Sequence, residues 1–468
     1  MSGRERMSAV DAAWLHMDRP TNLLVINAVS WFDEPLDWDL VAKLIQTRWV
    51  EPYRRFRQRV GEGLPLVGPQ WEDDPRFALE NHLHHVALPA PGGRAALQDF
   101  VGDMMSVPID RTKPLWHMYL IDGYGQGCAL LIRVHHAVAD GIALAQVFQQ
   151  LTDSDAHEVR PGTAVARVRE RRDRGLVDTL TAPAQSVMGN GRRAAGTLLR
   201  DGIGMVAHPS RVVSAAMTGR DDAAALAKSL LTPADIRTAI TGDTVVAKRA
   251  VWSEPLPLAD VKAIGKATGT TVNDVLLSAV TGALRRYLQD HGDMVDNVRT
   301  FVPYNLRPLD RPVPSSLGNR FGLIFLDLPV GLDSARARLA ELSQRMEKIK
   351  NSPEGAMSFG LLAGMGKTPG SVEKAIIDFF TAKASAVMTN VPGPRAPLYL
   401  AGVPLAGVIS WVPRSGDTPL GVCIFTYAGS VYIGIAVDSA LIPEPQQIVT
   451  AFEAELAELR RVARPGAG

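Results

Sequence analysis

The 468-residue sequence predicts an α/β protein made of two similar halves joined by a crossover, on three observations. Strand-like and helix-like runs alternate over residues 1–155 and again over 245–468, a pattern that lays helices against sheets. Between them, from about Asp153, the texture changes to "DSDAHEVRPGTAVARVRERRDRG". Residues 156–244 therefore read as a basic linker and helical crossover. Finally, "AVSWFDEPLDWDLVAKLI" at 28–45 is echoed by "AVWSEPLPLADVKAIG" at 250–265. In both, a strand ending near a tryptophan (Trp31, Trp252) meets Glu-Pro-Leu and then a helix, with proline suited to the helix start.

The elements follow in order. "NLLVINAVSWF" reads as a strand, "DWDLVAKLIQTRWV" as a helix, "CALLIRV" as a strand and "IALAQVFQQLT" as a helix. A chain this long exceeds the ~250–300 residues at which single cores stop growing, which supports more than one core. Hydrophobic residues make up 46% and charged residues 21%, the balance of a globular protein, and the net charge of +1 excludes bulk attraction to nucleic acid. Cys128 and Cys423 each lie in an apolar strand-like run and read as packed free thiols, which suits a reducing cytoplasm. No export signal is read in the charged N-terminus. The longest apolar stretch, "LYLAGVPLAGVISWVP", is cut by prolines and is shorter than the ~20 residues of a spanning helix, so any membrane contact is expected to be peripheral.

The stretch richest in chemistry is "LLIRVHHAVADGIAL" at 130–144. Alternation in the strand puts His136 with Val134, Ile132, Leu130 and Cys128 on an apolar face, and His135 with Arg133. Desolvation on that face keeps an imidazole neutral and able to accept a proton near pH 7. Asp140 suits the N-cap of the helix that follows, and Gly141 is expected to permit a turn that a β-carbon would obstruct. On these residues alone, two readings stand: a core histidine beside a helix cap, or a catalytic base on a strand–loop–helix corner.

His-His, three residues, then Asp-Gly, between a buried strand and a helix, resembles the signature of the chloramphenicol acetyltransferase-like superfamily. The likeness extends along most of the chain. "VDAAWLHMDRPTN", "PLWHMYLIDG", "VNDVLLSAVTGALRRYL", "FVPYNLRP", "LGNRFG", "TNVPGPRAPLYLAG" and "TYAGSVYIGIAVD" each look like blocks of the bacterial wax ester synthase/diacylglycerol acyltransferase family. The resemblance implies two acetyltransferase-like α/β sandwich halves with the active-site channel at their interface. It also implies an acyl-CoA-dependent O-acyltransferase in which His136 is the general base, His135 supports it, and Asp140 and Gly141 hold the loop. The chemistry agrees with the residues: an alcohol is a poor nucleophile until a base takes its proton, and no Gly-x-Ser-x-Gly elbow offers a covalent route.

Further candidates carry two readings each. Asn273 and Asp274 open a helix whose face is expected to hold Val272, Leu276, Ala279, Ala283 and Tyr287; they cap it or support the site. Asn390, Pro392 and Gly393 lie in "NVPGP", expected to be an irregular rigid loop or a channel lining, because proline removes donors. Pro114, Leu115 and Trp116 are a packing anchor or a channel lining. "HLHH" at 82–85 lacks metal-ligand spacing, so no metal is expected. Arg160, Arg167, Arg169, Arg171, Arg172 and Arg174 form a solvated linker or a patch for anionic lipid.

The function implied by the resemblance is synthesis of triacylglycerol from diacylglycerol and long-chain acyl-CoA, with fatty alcohols as a second acceptor, no bound cofactor, and a peripheral membrane or lipid droplet location. The alternatives are acylation of another hydroxylated lipid or polyketide, or a non-catalytic lipid-binding protein, against which the intact His136, Asp140 and Gly141 speak.

Overall fold

The computed structural model describes residues 4–61, 68–156, 232–307, 313–350, 358–359, 377–379, 381–414 and 416–464. Its strands are β1 (Glu5–Arg6), β2 (Val25–Phe32), β3 (Gln58–Gly61), β4 (Gln70–Asp73), β5 (Leu83–Ala87), β6 (Trp116–Tyr124), β7 (Gly127–His135), β8 (Lys248–Trp252) and β9 (Leu256–Pro257). They continue as β10 (Val298–Asn305), β11 (Phe321–Leu328), β12 (Ala386–Pro392), β13 (Tyr399–Leu400), β14 (Val403–Pro404), β15 (Gly407–Trp411), β16 (Leu420–Tyr427) and β17 (Ser430–Asp438). The helices that matter here are α1 (Ala9–His16), α2 (Trp38–Ile45), α3 (Arg94–Met105), α4 (Gly141–Leu151), α5 (Leu258–Thr268), α6 (Val272–Asp290), α7 (Ala335–Lys350) and α8 (Gln446–Val462).

Two sheets carry the fold. The first runs β15-β2-β7-β6-β5 and the second β11-β10-β12-β16-β17-β8, with β9 also pairing with β17. Four strands of each correspond. In β2-β7-β6-β5 and in β8-β17-β16-β12 the first two pairings are antiparallel and the third is parallel. The Glu-Pro-Leu corners lie at matching places, after β2 and after β8, and each leads to a helix, α2 or α5. The halves are not separate in sequence, however. β15 leaves the second half and pairs with β2, Gly407 opposite Trp31 and Trp411 opposite Asn27. In return α3 packs on β8, where a side chain on Gly102 would crowd the Lys248 carbonyl.

β7 is a buried strand on both faces, so His135 and Arg133 are as enclosed as His136; Arg133 survives there by donating to Asn27 Oδ1 and to the Val107 carbonyl. Two expectations change. α6 is not one-sided: everything from Asn273 to Leu284 is buried, because α5, α7 and α8 surround it. "NVPGP" is regular up to Pro392, since β12 pairs in parallel with β16 from Ala386↔Leu420 to Pro392↔Thr426. Proline is tolerated because β10 pairs only with Ala386 and Val387, so the missing N–H falls where β12 has no second neighbour.

Candidate active site

Three segments meet at the end of β7. The loop 136–140 joins β7 to α4; the segment 317–321 comes from the second half; α1 comes from the N-terminal segment. The second-half segment docks by backbone: Gly318 N–H donates to the Val138 carbonyl at 3.0 Å, and Ala139 and Gly318 form a parallel bridge. Leu317 and Gly318 both take left-handed backbone conformations, φ 53° and 80°, an arrangement that costs a leucine energy and is kept where a turn must be held.

His136 is buried and stacks on Trp14, ring centroids 4.5 Å apart, with Phe321 at 5.2 Å. Its backbone N–H donates to the Leu24 carbonyl at 2.7 Å. Its tautomer follows from its neighbour. The Asn319 Nδ2 lies 2.7 Å from Asp11 Oδ1 and 2.7 Å from the His136 carbonyl, both of which accept, so the amide oxygen must be the atom facing His136 Nδ1 at 2.9 Å. Nδ1 therefore carries the proton and Nε2 carries the lone pair. Burial lowers the His136 pKa to about 4, opposed by the nearby Asp140 carboxylate, so the ring is neutral at pH 7.

His135 is tied differently. Its Nδ1 accepts from the Ala137 N–H at 3.0 Å, its own N–H donates to the Leu115 carbonyl at 3.0 Å, and its Nε2 lies 3.6 Å from Asp18. Burial opposes the Asp18 carboxylate, but His135 and Arg111 more than offset it and hold its pKa below the usual range. Asp140 caps α4 through Ala143 N–H at 2.8 Å, and its other oxygen accepts from Arg307 Nη2 at 3.0 Å and Arg320 N–H at 2.9 Å. One carboxylate thus ends the helix and ties the loop to the second half. Gly141 corrects the sequence reading: it is the first residue of α4, it is not among the residues with positive φ, and a β-carbon there would meet nothing within 4 Å. No strained turn requires it.

The other candidates are held by partners of their own. Asn273 Oδ1 accepts from Asn390 Nδ2 at 2.7 Å, which joins two sequence candidates 117 residues apart. Asp274 forms a capping box with Thr271 and also receives the Ser343 hydroxyl. Trp116 is fully buried, donates to the Phe56 carbonyl at 2.8 Å and stacks on His82. Those contacts are the ones a packing anchor makes; the Leu115 carbonyl holds His135, and Pro114 beside them is buried. Pro392 is exposed, and Gly393 is required because a β-carbon would strike the Thr426 carbonyl. His82, His84 and His85 have separate partners, Trp116, His117 and Asp122, and among the described residues no group of three or more His, Cys, Asp or Glu could hold a metal. The arginines from 160 to 174 lie outside the described residues.

Asp11, Trp14, Arg307, Asn319 and Phe321 were not singled out from sequence. All five sit in "VDAAWLHMDRPTN", "FVPYNLRP" or "LGNRFG", so their signal was the presence of those blocks; periodicity and composition carry none.

Residues 7–276 match the wax ester synthase/diacylglycerol acyltransferase catalytic domain, and residues 317–460 match the C-terminal domain of that family. A probable diacylglycerol O-acyltransferase of Mycobacterium tuberculosis is 26% identical over 477 aligned positions, covering 98% of this chain and 96% of the relative. The solved wax ester synthase/diacylglycerol acyltransferase of Marinobacter aquaeolei VT8 superposes with a TM-score of 0.69 at 22% identity, covering 98% of this chain and 99% of that one. The first condensation domain of the CDA synthetase follows the same fold, with a TM-score of 0.61 at 17% identity and coverage of 99% and 97%. This chain and the two solved structures thus share the two-halved acetyltransferase-like fold. The chain belongs to the wax ester synthase/diacylglycerol acyltransferase family of O-acyltransferases.

Proposed function

We propose that this protein transfers the acyl group of a long-chain acyl-CoA to the hydroxyl of diacylglycerol, with fatty alcohols as a second acceptor, in one ternary complex and without a bound cofactor or metal. The observation that carries the reading is the neutral His136 with Nδ1–H engaged by Asn319 and Nε2 left as the basic nitrogen. His136 Nε2 takes the alcohol proton as the oxygen attacks the thioester carbonyl. The C–O bond forms, the C–S bond breaks, and the CoA thiolate takes the proton back from the imidazolium. Cysteine chemistry has no support: burial pushes both Cys128 and Cys423 up to about 11, so neither is a thiolate at neutral pH. His135 and Asp140 are assigned to holding the loop. The Asn273–Asn390 pair and Gly393 are assigned to the walls of the substrate channel. The descriptions of the mycobacterial relatives favour diacylglycerol as the acceptor.

The test is CoA release from labelled oleoyl-CoA by the purified protein with dioleoylglycerol, with hexadecanol and with no acceptor. Acceptor-dependent release that disappears in His136→Ala is the expected result. No acceptor-dependent release with any alcohol would make the protein a lipid binder.

The same chemistry calls for a lipid surface. Among the described residues no helix is long and apolar enough to cross a membrane, and the proposal is cytoplasmic protein held peripherally on anionic membranes or lipid droplets by Arg160 to Arg174. Sedimentation with anionic vesicles should weaken as the Debye length falls from ~10 Å at 0.1 M salt to ~3 Å at 1 M. Binding that ignores both salt and replacement of these arginines would remove the electrostatic contribution.

A further inference from the structure

We propose that Asp11 and Asn319 are positioning residues for acyl transfer, in which Asp11, acting through the Asn319 amide, holds His136 in the Nε2-basic tautomer and favours the imidazolium formed as the alcohol loses its proton. The proposal rests on the reading of His136 as the base.

The geometry is a chain of three buried side chains from three segments. Asp11 Oδ1 accepts both the backbone N–H of Asn319 at 3.1 Å and its Nδ2 at 2.7 Å; Nδ2 also donates to the His136 carbonyl, and the amide oxygen takes His136 Nδ1–H at 2.9 Å. The exposures of Asp11, Asn319 and His136 are 4%, 6% and 4%. A local role accounts for part of this: Asp11 sits in the first turn of α1, where Ser8 is the N-cap and accepts its N–H. Capping needs no burial, yet this carboxylate is turned inward onto a residue 308 positions away. An uncompensated buried carboxylate is costly, and among the described residues no ion pair closer than 4.0 Å relieves this one. Arg55 supports it electrostatically from further off, its guanidinium held by Ser316, Glu5 and the face of Trp71.

What such an arrangement does depends on the protonation state of His136. In the resting enzyme the ring is neutral and the Nδ1–H···O bond is an ordinary one. When Nε2 takes the alcohol proton, the same bond becomes charge-assisted and about twice as strong. Its acceptor is then an amide polarised from behind by a carboxylate. The interaction grows as the transition state forms, the condition for raising kcat rather than tightening binding. The neutral amide keeps a full negative charge away from the resting imidazole, which leaves burial free to hold it unprotonated.

The experiment measures kcat, KM for oleoyl-CoA, melting temperature and the pH profile for Asp11→Asn, Asn319→Ala, the double variant and His136→Ala. Asp11→Asn should lower kcat about 10- to 100-fold with KM little changed, and Asn319→Ala should lose as much or more. Because Asp11 acts through Asn319, the double variant should be no worse than Asn319→Ala alone. The pH profile separates a positioning role from a structural one. Asp11 is faced by Ser8, Asn319 and Arg55, and burial, the strongest influence, raises its pKa; His136 is faced by Asn319, Asp140 and His135. As the pH falls the wild type should lose kcat through protonation of both Asp11 and His136, whereas Asp11→Asn should start lower and lose only what protonation of His136 removes. Wild-type kcat in Asp11→Asn, additive losses in the double variant, or a loss that merely tracks melting temperature would each overturn the proposal. An active His136→Ala would sink the base itself; an inactive one beside active Asp11→Asn and Asn319→Ala would sink only the positioning role.

Discussion

The ends of β7 and β17 are the same place in two copies of one topology, and they do opposite things. Both strands have nine residues, both follow a two-residue turn after a tyrosine (Tyr124, Tyr427), and both lead toward a helix. Register equates Val134 with Val437, so His135 answers to Asp438 and His136 to Ser439. In the second half the position is closed: Asp438 accepts from Lys248 Nζ at 2.8 Å, Val245 N–H at 2.7 Å and Ala440 N–H at 3.1 Å, and its charge opposes the loss of a proton from buried Arg414. In the first half His135 is held by its own half, through Ala137, Leu115 and Asp18, while Asn319, Arg307 and Arg320 of the other half hold His136 Nδ1 and Asp140, and His136 keeps a basic nitrogen. A fold supplies the corner; whether the corner reacts depends on whether its polar atoms are all used up.

That contrast can be broken or sharpened. The largest expected effect is on rate: His136→Ala should remove roughly the 10²–10⁴-fold that base catalysis supplies with little change in melting temperature, while His135→Ala should be milder; equal losses at both would erase the distinction between them. Next are the two buried carboxylates. Asp140→Asn and Asp438→Asn each strand a buried cation, Arg307 and Lys248 respectively, and each should cost about 3–5 kcal/mol in denaturant unfolding. Only Asp140→Asn should also lower turnover per folded molecule, because only that residue positions the histidine loop; a matching loss in Asp438→Asn would make the second corner part of the site.

A smaller effect concerns pH. The His136 pKa is lowered in the folded protein to about 4 from 6.5, so below 6.5 the unfolded chain binds a proton that the folded one refuses. The stability this costs should be absent above pH 6.5 and grow by about 1.4 kcal/mol per pH unit down to about pH 4. Urea midpoints should therefore fall less steeply in acid for His136→Ala than for the wild type; parallel curves would contradict a neutral buried ring. The smallest is Trp116→Phe, expected to lose about 0.5–1.5 kcal/mol with the Phe56 hydrogen bond and to leave kcat/KM untouched, as a packing anchor should. A changed chain-length preference would return Trp116 to the channel.

Local patterns were legible from the residues. The strand–loop–helix corner at His136, the cap at Asp140 and the repeated Glu-Pro-Leu corners depend on neighbours within a few positions, and side-chain period and capping chemistry express those directly in sequence. Where local reasoning met tertiary packing it failed in a consistent direction. α6 is buried on more sides than its pattern suggests, Pro392 is tolerated where β12 lacks a second neighbour, and Gly141 needs no special backbone. The errors came from supposing that one face of a helix sees solvent, that a proline ends a strand, or that a glycine marks strain.

By itself, then, the sequence determined the α/β class, the duplicated order of elements and the identity of the histidine corner. Only the tertiary structure decided that β15 would cross to the first sheet and that Asn319, 183 residues after His136, would select its tautomer. It also decided that Asp11, 308 residues before Asn319, would stand behind that amide. The reason is physical: periodicity and capping are written by residues one to four positions apart, whereas a hydrogen bond between segments hundreds of residues apart leaves no local pattern, and exists only once two sheets have brought its donor and acceptor within 3 Å.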